Sequence, residues 1–175
     1  MPACRVPEDA GWSQLPVWHR LLHANALTHL LVHRTDGNQE GVGAALARQS
    51  LRRDEYFVTS KIPGGLNASA TTAALEQSLE ELKLPYVDLM LLHWPASGAK
   101  SRQEQWLALE TWAKQGKARA IGISHYCRHH LDDILAVATL PVALNQVQYH
   151  VGMVRRSLWI AHEHTCMCLH DQITR

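Results

Sequence analysis

Residues 87–92, VDLMLL, form an almost continuous apolar run, and this run restricts the possible folds more than any other segment. A strand of this kind is typically buried on both faces, as in a parallel sheet covered by helices. Strands and helices alternate on either side of it with short loops, which predicts parallel strands joined by right-handed crossovers. Strands are predicted at residues 54–60, 87–92, 118–123 and 141–147, and helices at residues 41–50, from about 69, at 102–115 with Gly116 as the C-cap, and at 128–139.

The length of the chain restricts this α/β fold further. A complete (β/α)8 barrel typically needs about 250 residues, whereas the chain has 175. The alternating pattern occupies residues 34–151, while residues 1–33 and 152–175 show no sustained helical or strand period. The sequence therefore predicts a partial (β/α)8 TIM barrel with parallel strands, incomplete at both ends.

The charge of the chain indicates which partners are not expected, and its cysteines indicate the compartment. The net charge is +1 and no long basic run occurs, so neither nucleic acid nor a membrane surface is expected as a partner. No secretory signal and no apolar run of about 18 residues is recognisable. The four cysteines are scattered rather than spaced as a disulfide framework. We therefore expect a cytoplasmic protein in a reducing compartment.

Polar side chains follow each predicted strand at the point where the strand ends. Lys61 follows the first apolar run and His93 the second, Ser124 with His125 follows the third, and Asn145 with Gln146 the fourth. The carboxyl ends of parallel strands share one rim, where α/β enzymes place their active sites. An ammonium, an imidazole, a hydroxyl and a carboxamide are thus predicted to meet there. No metal ligands are predicted at this rim, and His129 and His130 are expected at the exposed start of a helix.

Five segments follow one another within residues 37–151, namely GNQEGVGAAL, YFVTSK, YVDLMLLHWP, KARAIGISHY and NQVQYH. In their order and spacing, these segments together resemble the aldo/keto reductase family. The resemblance implies a (β/α)8 barrel that binds NADP(H) across its mouth and passes hydride between the nicotinamide and an aldehyde, ketone or alcohol. A small carbonyl compound is the implied partner.

The resemblance also implies roles for individual residues. Lys61 matches the family's catalytic lysine and His93 its catalytic histidine, which orients the substrate carbonyl, while Trp94 matches a wall of the substrate pocket. Ser124 and Gln146 match the residues that hydrogen-bond the carboxamide of the nicotinamide.

His125 departs from the family at a cofactor-binding position. The family usually has asparagine after the matching serine. An imidazole can make a single hydrogen bond, but not the paired donor and acceptor contact of an amide.

Two catalytic positions upstream depart further from the family pattern. The family places its acid tyrosine two residues before the asparagine that matches Asn38, and an aspartate five residues before that tyrosine. Here these positions hold Asp36 and Leu31. An ionised carboxylate is a poor proton donor and Leu31 cannot pair with Lys61, so half of the catalytic tetrad is missing.

The sequence at the two ends of the chain leaves alternative functions open. Nothing in residues 152–175 resembles the family's last strands, and we expect foreign sequence joined near Gly37 and Met153 by aberrant splicing or a mistaken gene model. One alternative function is an inactive, truncated reductase fragment. Another is a metal-binding module formed by the histidines and cysteines of residues 162–170.

Overall fold

The computed structural model of the chain describes residues 29–148 and 169–170. Most of the two predicted foreign ends, and nearly all of the possible metal-binding tail at residues 162–170, lie outside the described residues. Within residues 29–148, no helix is both long enough and apolar enough to cross a membrane.

The described residues form one parallel sheet of six strands in the order β1-β2-β3-β4-β5-β6, with helices in the crossovers. This is the predicted partial barrel. The strands are β1 (His29–His33), β2 (Phe57–Ile62), β3 (Val87–Leu92), β4 (Ala118–Ser124), β5 (Asn145–Gln148) and β6 (Leu169–His170). The helices are α1 (Gln39–Leu46), α2 (Ala68–Leu82), α3 (Ala99–Trp112) and α4 (Arg128–Leu135).

Several element boundaries differ from the predicted ones. The sequence did not predict β1, which pairs with β2 along its whole length. A 3₁₀ turn (Arg53–Glu55) replaces the predicted start of β2, because the Glu55 carboxylate accepts a local hydrogen bond from the Arg52 amide. Residues 141–144 pair only in part with β4, so the regular strand begins at Asn145. Gly116 does end the α3 region, with the positive φ of 81° that glycine adopts without strain.

Helix α4 ends four residues before the predicted position 139, and a buried carboxylate binds the amides that would have continued the helix from that position. The backbone amides of Thr139 and Leu140 donate to the Glu110 side chain of α3, at 2.7 and 2.9 Å, instead of to helix carbonyls. Glu110 is 1% exposed, so this contact anchors the chain between α4 and β5 to a buried side chain of α3.

The two faces of the sheet have different surroundings. One face packs on the helices and contributes to the main core, for example through Val58, Met90 and Ile121. The other face carries a second, smaller apolar cluster of Phe57, Leu89, Leu91 and Leu144. Side chains alternate between faces along a strand. The smaller cluster therefore shares its face with residues two or four positions further along the strands, which form the rim described below.

The opposite end of the sheet is closed by a charge network around Asp88. This carboxylate is 1% exposed and accepts hydrogen bonds from the Val58 amide at 2.9 Å, from Arg53 at 2.7 Å and from Arg119 at 3.2 Å. It ties the amino ends of β2, β3 and β4 together. The network is structural, because its carboxylate oxygens are occupied by donors from the protein.

Candidate functional site

The structure brings four of the predicted rim residues to the same end of the sheet: Lys61, His93, Ser124 and Gln146. Ser124 pairs in register with Gln146, and the amide of His93 donates to the carbonyl of Ile62 at 2.8 Å, which continues the ladder past the end of β3. Lys61 pairs with Leu91, so it lies two residues below the level of His93. By the alternation of side chains, all four occupy the face of the smaller apolar cluster.

Lys61 is buried, and its surroundings disfavour its charge. The side chain is 4% exposed, and burial lowers its pKa from 10.5 to about 8, although the negative charge of Asp36 partly opposes the shift. Asp36 therefore brings a carboxylate near the lysine, which sequence analysis did not foresee. Leu31, which pairs in register with Thr59, has no carboxylate to offer the lysine.

The Lys61→Met variant is expected to be more stable than the wild type at neutral pH, by about 1 to 3 kcal/mol. The folded-state pKa of about 8 lies below the ordinary 10.5, so the unfolded chain binds more protons between these pH values. The buried charge of Lys61 therefore destabilises the wild type most below pH 8, and the free energy of unfolding of the wild type rises as the pH increases toward 10.5. Urea unfolding from pH 6 to 10 measures both effects.

Lys100→Met, at a lysine whose side chain is 90% exposed, is the matched control and should change stability by less than about 0.5 kcal/mol. A Lys61→Met variant less stable than the wild type at neutral pH would contradict the burial penalty.

His93, Trp94 and His125 form a group of rings beside the lysine. The ring centroid of His93 lies 4.6 Å from that of Trp94 and 6.2 Å from that of His125. Burial lowers the pKa of His125, and the nearby charge of Lys61 lowers it further. A Cβ on Gly64 would approach the Trp94 carbonyl oxygen to 1.9 Å, so glycine is needed there for the loops after β2 and β3 to pack together. The ammonium and two imidazoles are thus held close to one another.

Ser124 and Gln146 form the other side of the rim. The hydroxyl of Ser124 donates to the backbone carbonyl of Gln146 at 2.9 Å. The side-chain oxygen of Gln146 is buried and has no hydrogen-bond partner among the described residues. A buried acceptor without a donor costs free energy, which makes it a ready acceptor for a ligand N–H group.

Asn145 positions the loop after β4, a role that sequence analysis did not assign. Its side chain is 2% exposed, donates to the Tyr126 carbonyl at 2.8 Å and accepts from the Tyr126 amide at 3.4 Å. The Asn-Gln pair at the end of the predicted strand was the available signal. In the same loop His125 has a φ of 59°. Asparagine and histidine are among the non-glycine residues enriched in this conformation, so either residue type fits the backbone here.

Comparison with known proteins supplies the wider context. The model of the aldo/keto reductase family matches residues 32–169. Glyoxal reductase of Bacillus subtilis is 42% identical over 122 residues, which cover 69% of this chain and 44% of that protein. Methylglyoxal reductase DkgA of Escherichia coli K12 is 34% identical over 121 residues, covering 69% and 44%. The chain thus spans less than half the length of these relatives.

Solved structures show the same relationship. An aldo-keto reductase from a Medee basin deep-sea metagenome library superposes with a TM-score of 0.75 and 29% identity, over 90% of this chain and 58% of that one. A putative 2,5-diketo-D-gluconic acid reductase B superposes with a TM-score of 0.70 and 30% identity, over 82% and 52%.

Proposed function

Because this chain belongs to the aldo/keto reductase family, we propose that its rim binds NADP(H) and a small carbonyl compound and passes hydride between them. The observation that carries the proposal is the arrangement of Lys61, His93, Ser124 and Gln146 on one face, at the carboxyl ends of four successive parallel strands. In parallel α/β barrels this edge is where ligands bind and react.

The residues of β4 and β5 fit a nicotinamide carboxamide. The buried, unpartnered oxygen of Gln146 can accept a hydrogen bond from the amide nitrogen of the cofactor. Ser124 and His125 supply further polar groups beside it. A nicotinamide bound here would supply the hydride from its C4 atom. We take the cofactor to be NADP(H) rather than NAD(H), following the family resemblance of the sequence.

The residues of β2 and β3 fit a substrate carbonyl. His93 orients the carbonyl oxygen, and the Lys61 ammonium stabilises the negative charge that develops on that oxygen as hydride arrives. With a pKa of about 8, Lys61 is mostly protonated at neutral pH and can donate the proton that completes the alcohol. Trp94, 40% exposed beside His93, forms a wall of the substrate pocket.

The names of the relatives suggest the substrate class. Glyoxal and methylglyoxal are small aldehydes with two adjacent carbonyl groups, and two matched relatives are named for reducing them. We propose the same class for this chain, acting in the cytoplasm, where its scattered cysteines fit the reducing conditions.

The test is hydride transfer by the full chain with methylglyoxal and NADPH carrying deuterium in both hydrogen positions at C4. We expect one deuterium in the alcohol product, detected by mass spectrometry. We also expect the Gln146→Leu variant to bind NADPH about 10-fold more weakly, as for one lost hydrogen bond. Gln115→Leu, at an exposed glutamine beyond α3, is the control and should bind as the wild type does. Product without deuterium, or unchanged NADPH binding in Gln146→Leu, would contradict the proposal.

A further inference from the structure

A second cluster of reactive side chains lies at the start of α4, outside the rim. Cys127 precedes the helix, and His129 and His130 lie in its first turn. The Cys127 sulfur is 3.2 Å from Nδ1 of His129 and 3.1 Å from Nδ1 of His130. One ligand atom from each residue can be chosen so that all three lie within 4.8 Å of one another.

These distances match those between ligands of one tetrahedral metal ion. With a Zn–S bond of about 2.3 Å and a Zn–N bond of about 2.1 Å, tetrahedral angles separate sulfur from nitrogen by about 3.6 Å. The sulfur–nitrogen distances in the cluster run from 3.1 to 3.7 Å. A small adjustment of side-chain torsions therefore allows all three atoms to bind one ion.

We propose that Cys127, His129 and His130 bind a divalent transition-metal ion of the Zn²⁺ type, with the fourth coordination position open. A thiolate with two imidazoles suits Zn²⁺ or Co²⁺, and does not suit the oxygen-seeking Mg²⁺ or Ca²⁺. Cys127 is a free, exposed thiol and His129 is also exposed, so an ion reaches them from solvent. None of these three residues is assigned to the proposed cofactor site.

Neighbouring side chains hold the cluster in place. The Tyr126 ring meets His130 edge-on at 5.9 Å and restrains its orientation. Arg128, between the ligands in sequence, is paired with Asp132 at 2.9 Å.

Cobalt spectroscopy of the metal-free full chain tests the proposal. Co²⁺ bound by one thiolate and two imidazoles in a tetrahedral site gives visible d–d bands and a near-ultraviolet thiolate charge-transfer band. We expect these bands to saturate at one equivalent of Co²⁺ and to disappear when Zn²⁺ is added. Cys127→Ser should abolish the charge-transfer band, and His130→Ala should weaken Co²⁺ binding by at least about 10-fold.

The tail cysteines provide the matched control, because they are two of the three other thiols in the sequence. The double variant Cys166→Ser and Cys168→Ser should keep the bands of the wild type. Circular dichroism should show that Cys127→Ser, at an exposed residue, keeps the helical content of the wild type. Absence of the bands in the wild type, their persistence in Cys127→Ser, or their loss in the tail variant would overturn the assignment.

Discussion

The Asp36→Tyr variant is expected to reduce methylglyoxal about 100-fold faster than the wild type, or more, since a positioned general acid contributes about 10² to 10⁴ in rate. Asp36 stands at the position of the family's acid tyrosine, and its charge acts on Lys61. A carboxylate there opposes the negative charge that develops on the substrate oxygen. A tyrosine removes that charge and adds a neutral O–H donor, whose ionisation the Lys61 ammonium favours.

Two further variants separate proton donation from the loss of charge. Asp36→Phe removes the carboxylate without adding a donor, so it should gain much less than Asp36→Tyr. Adding Lys61→Met to Asp36→Tyr should abolish most of the gain, because the phenol then lacks its ammonium partner. Rates measured from NADPH absorbance under saturating NADPH compare the three. Equal rates for Asp36→Tyr and Asp36→Phe would contradict a proton-donating role at this position.

The Glu110→Ala variant is expected to lose about 4 kcal/mol of the free energy of unfolding. The Glu110 carboxylate accepts hydrogen bonds from the Trp106 indole at 2.7 Å and from the Thr139 and Leu140 amides. It also accepts one from the Thr139 hydroxyl. Alanine would leave the buried Trp106 indole and the partly buried amides of Thr139 and Leu140 without this acceptor, and a buried donor left unpaired costs about 1 to 3 kcal/mol. Urea unfolding monitored by tryptophan fluorescence measures the loss.

Glu104→Ala is the matched control on the same helix. Glu104 is half exposed and its ion pair with Lys100 spans 3.8 Å, so the change should stay within about 0.5 kcal/mol. A Glu110→Ala variant as stable as Glu104→Ala would show that the buried carboxylate does not hold α3 and the chain after α4 together.

The contribution of Glu110 to the free energy of unfolding should depend on pH in the acidic range. Burial by itself raises the pKa of Glu110, but hydrogen bonds from Leu140, Thr139 and Trp106 outweigh it and lower the pKa from 4.5 to about 2. The contribution, about 3 kcal/mol, is therefore complete above pH 4.5 and is lost as the pH falls toward 2. The stability difference between wild type and Glu110→Gln should narrow over that window and stay constant above it.

The sequence predicted the fold where the apolar pattern was strong. The strand at residues 87–92 has the predicted bounds, and the parallel order follows from the alternation of elements. Strand β1 (His29–His33) was missed because two histidines flank three apolar residues, too short a run to identify without its partner β2. Helix α4 was predicted too long because its end depends on Glu110, a contact from another helix that local pattern does not reveal.

The residues of the candidate site could be predicted from the sequence, but the electrostatic effect of one residue on another could not. Lys61, His93, Ser124 and Gln146 follow apolar strand runs, and parallel order alone places them at one edge. The effect of Asp36 on Lys61 depends on the 3₁₀ turn (Arg34–Asp36) after β1, which no local sequence pattern indicated. The proposed metal ligands at the start of α4 were missed for a similar reason. The short spacing of Cys127, His129 and His130 in the sequence indicates a site only once the distances between their side chains are known.

The most direct test of the central claim is to locate NADPH binding by two-dimensional NMR of the ¹⁵N-labelled full chain. We predict that NADPH shifts the amide signals around Lys61, His93, Ser124 and Gln146, and leaves those around Asp88 at the opposite end unchanged. Shifts centred on the Asp88 end, or no shifts at saturating NADPH, would contradict a nicotinamide site at the carboxyl ends of these strands.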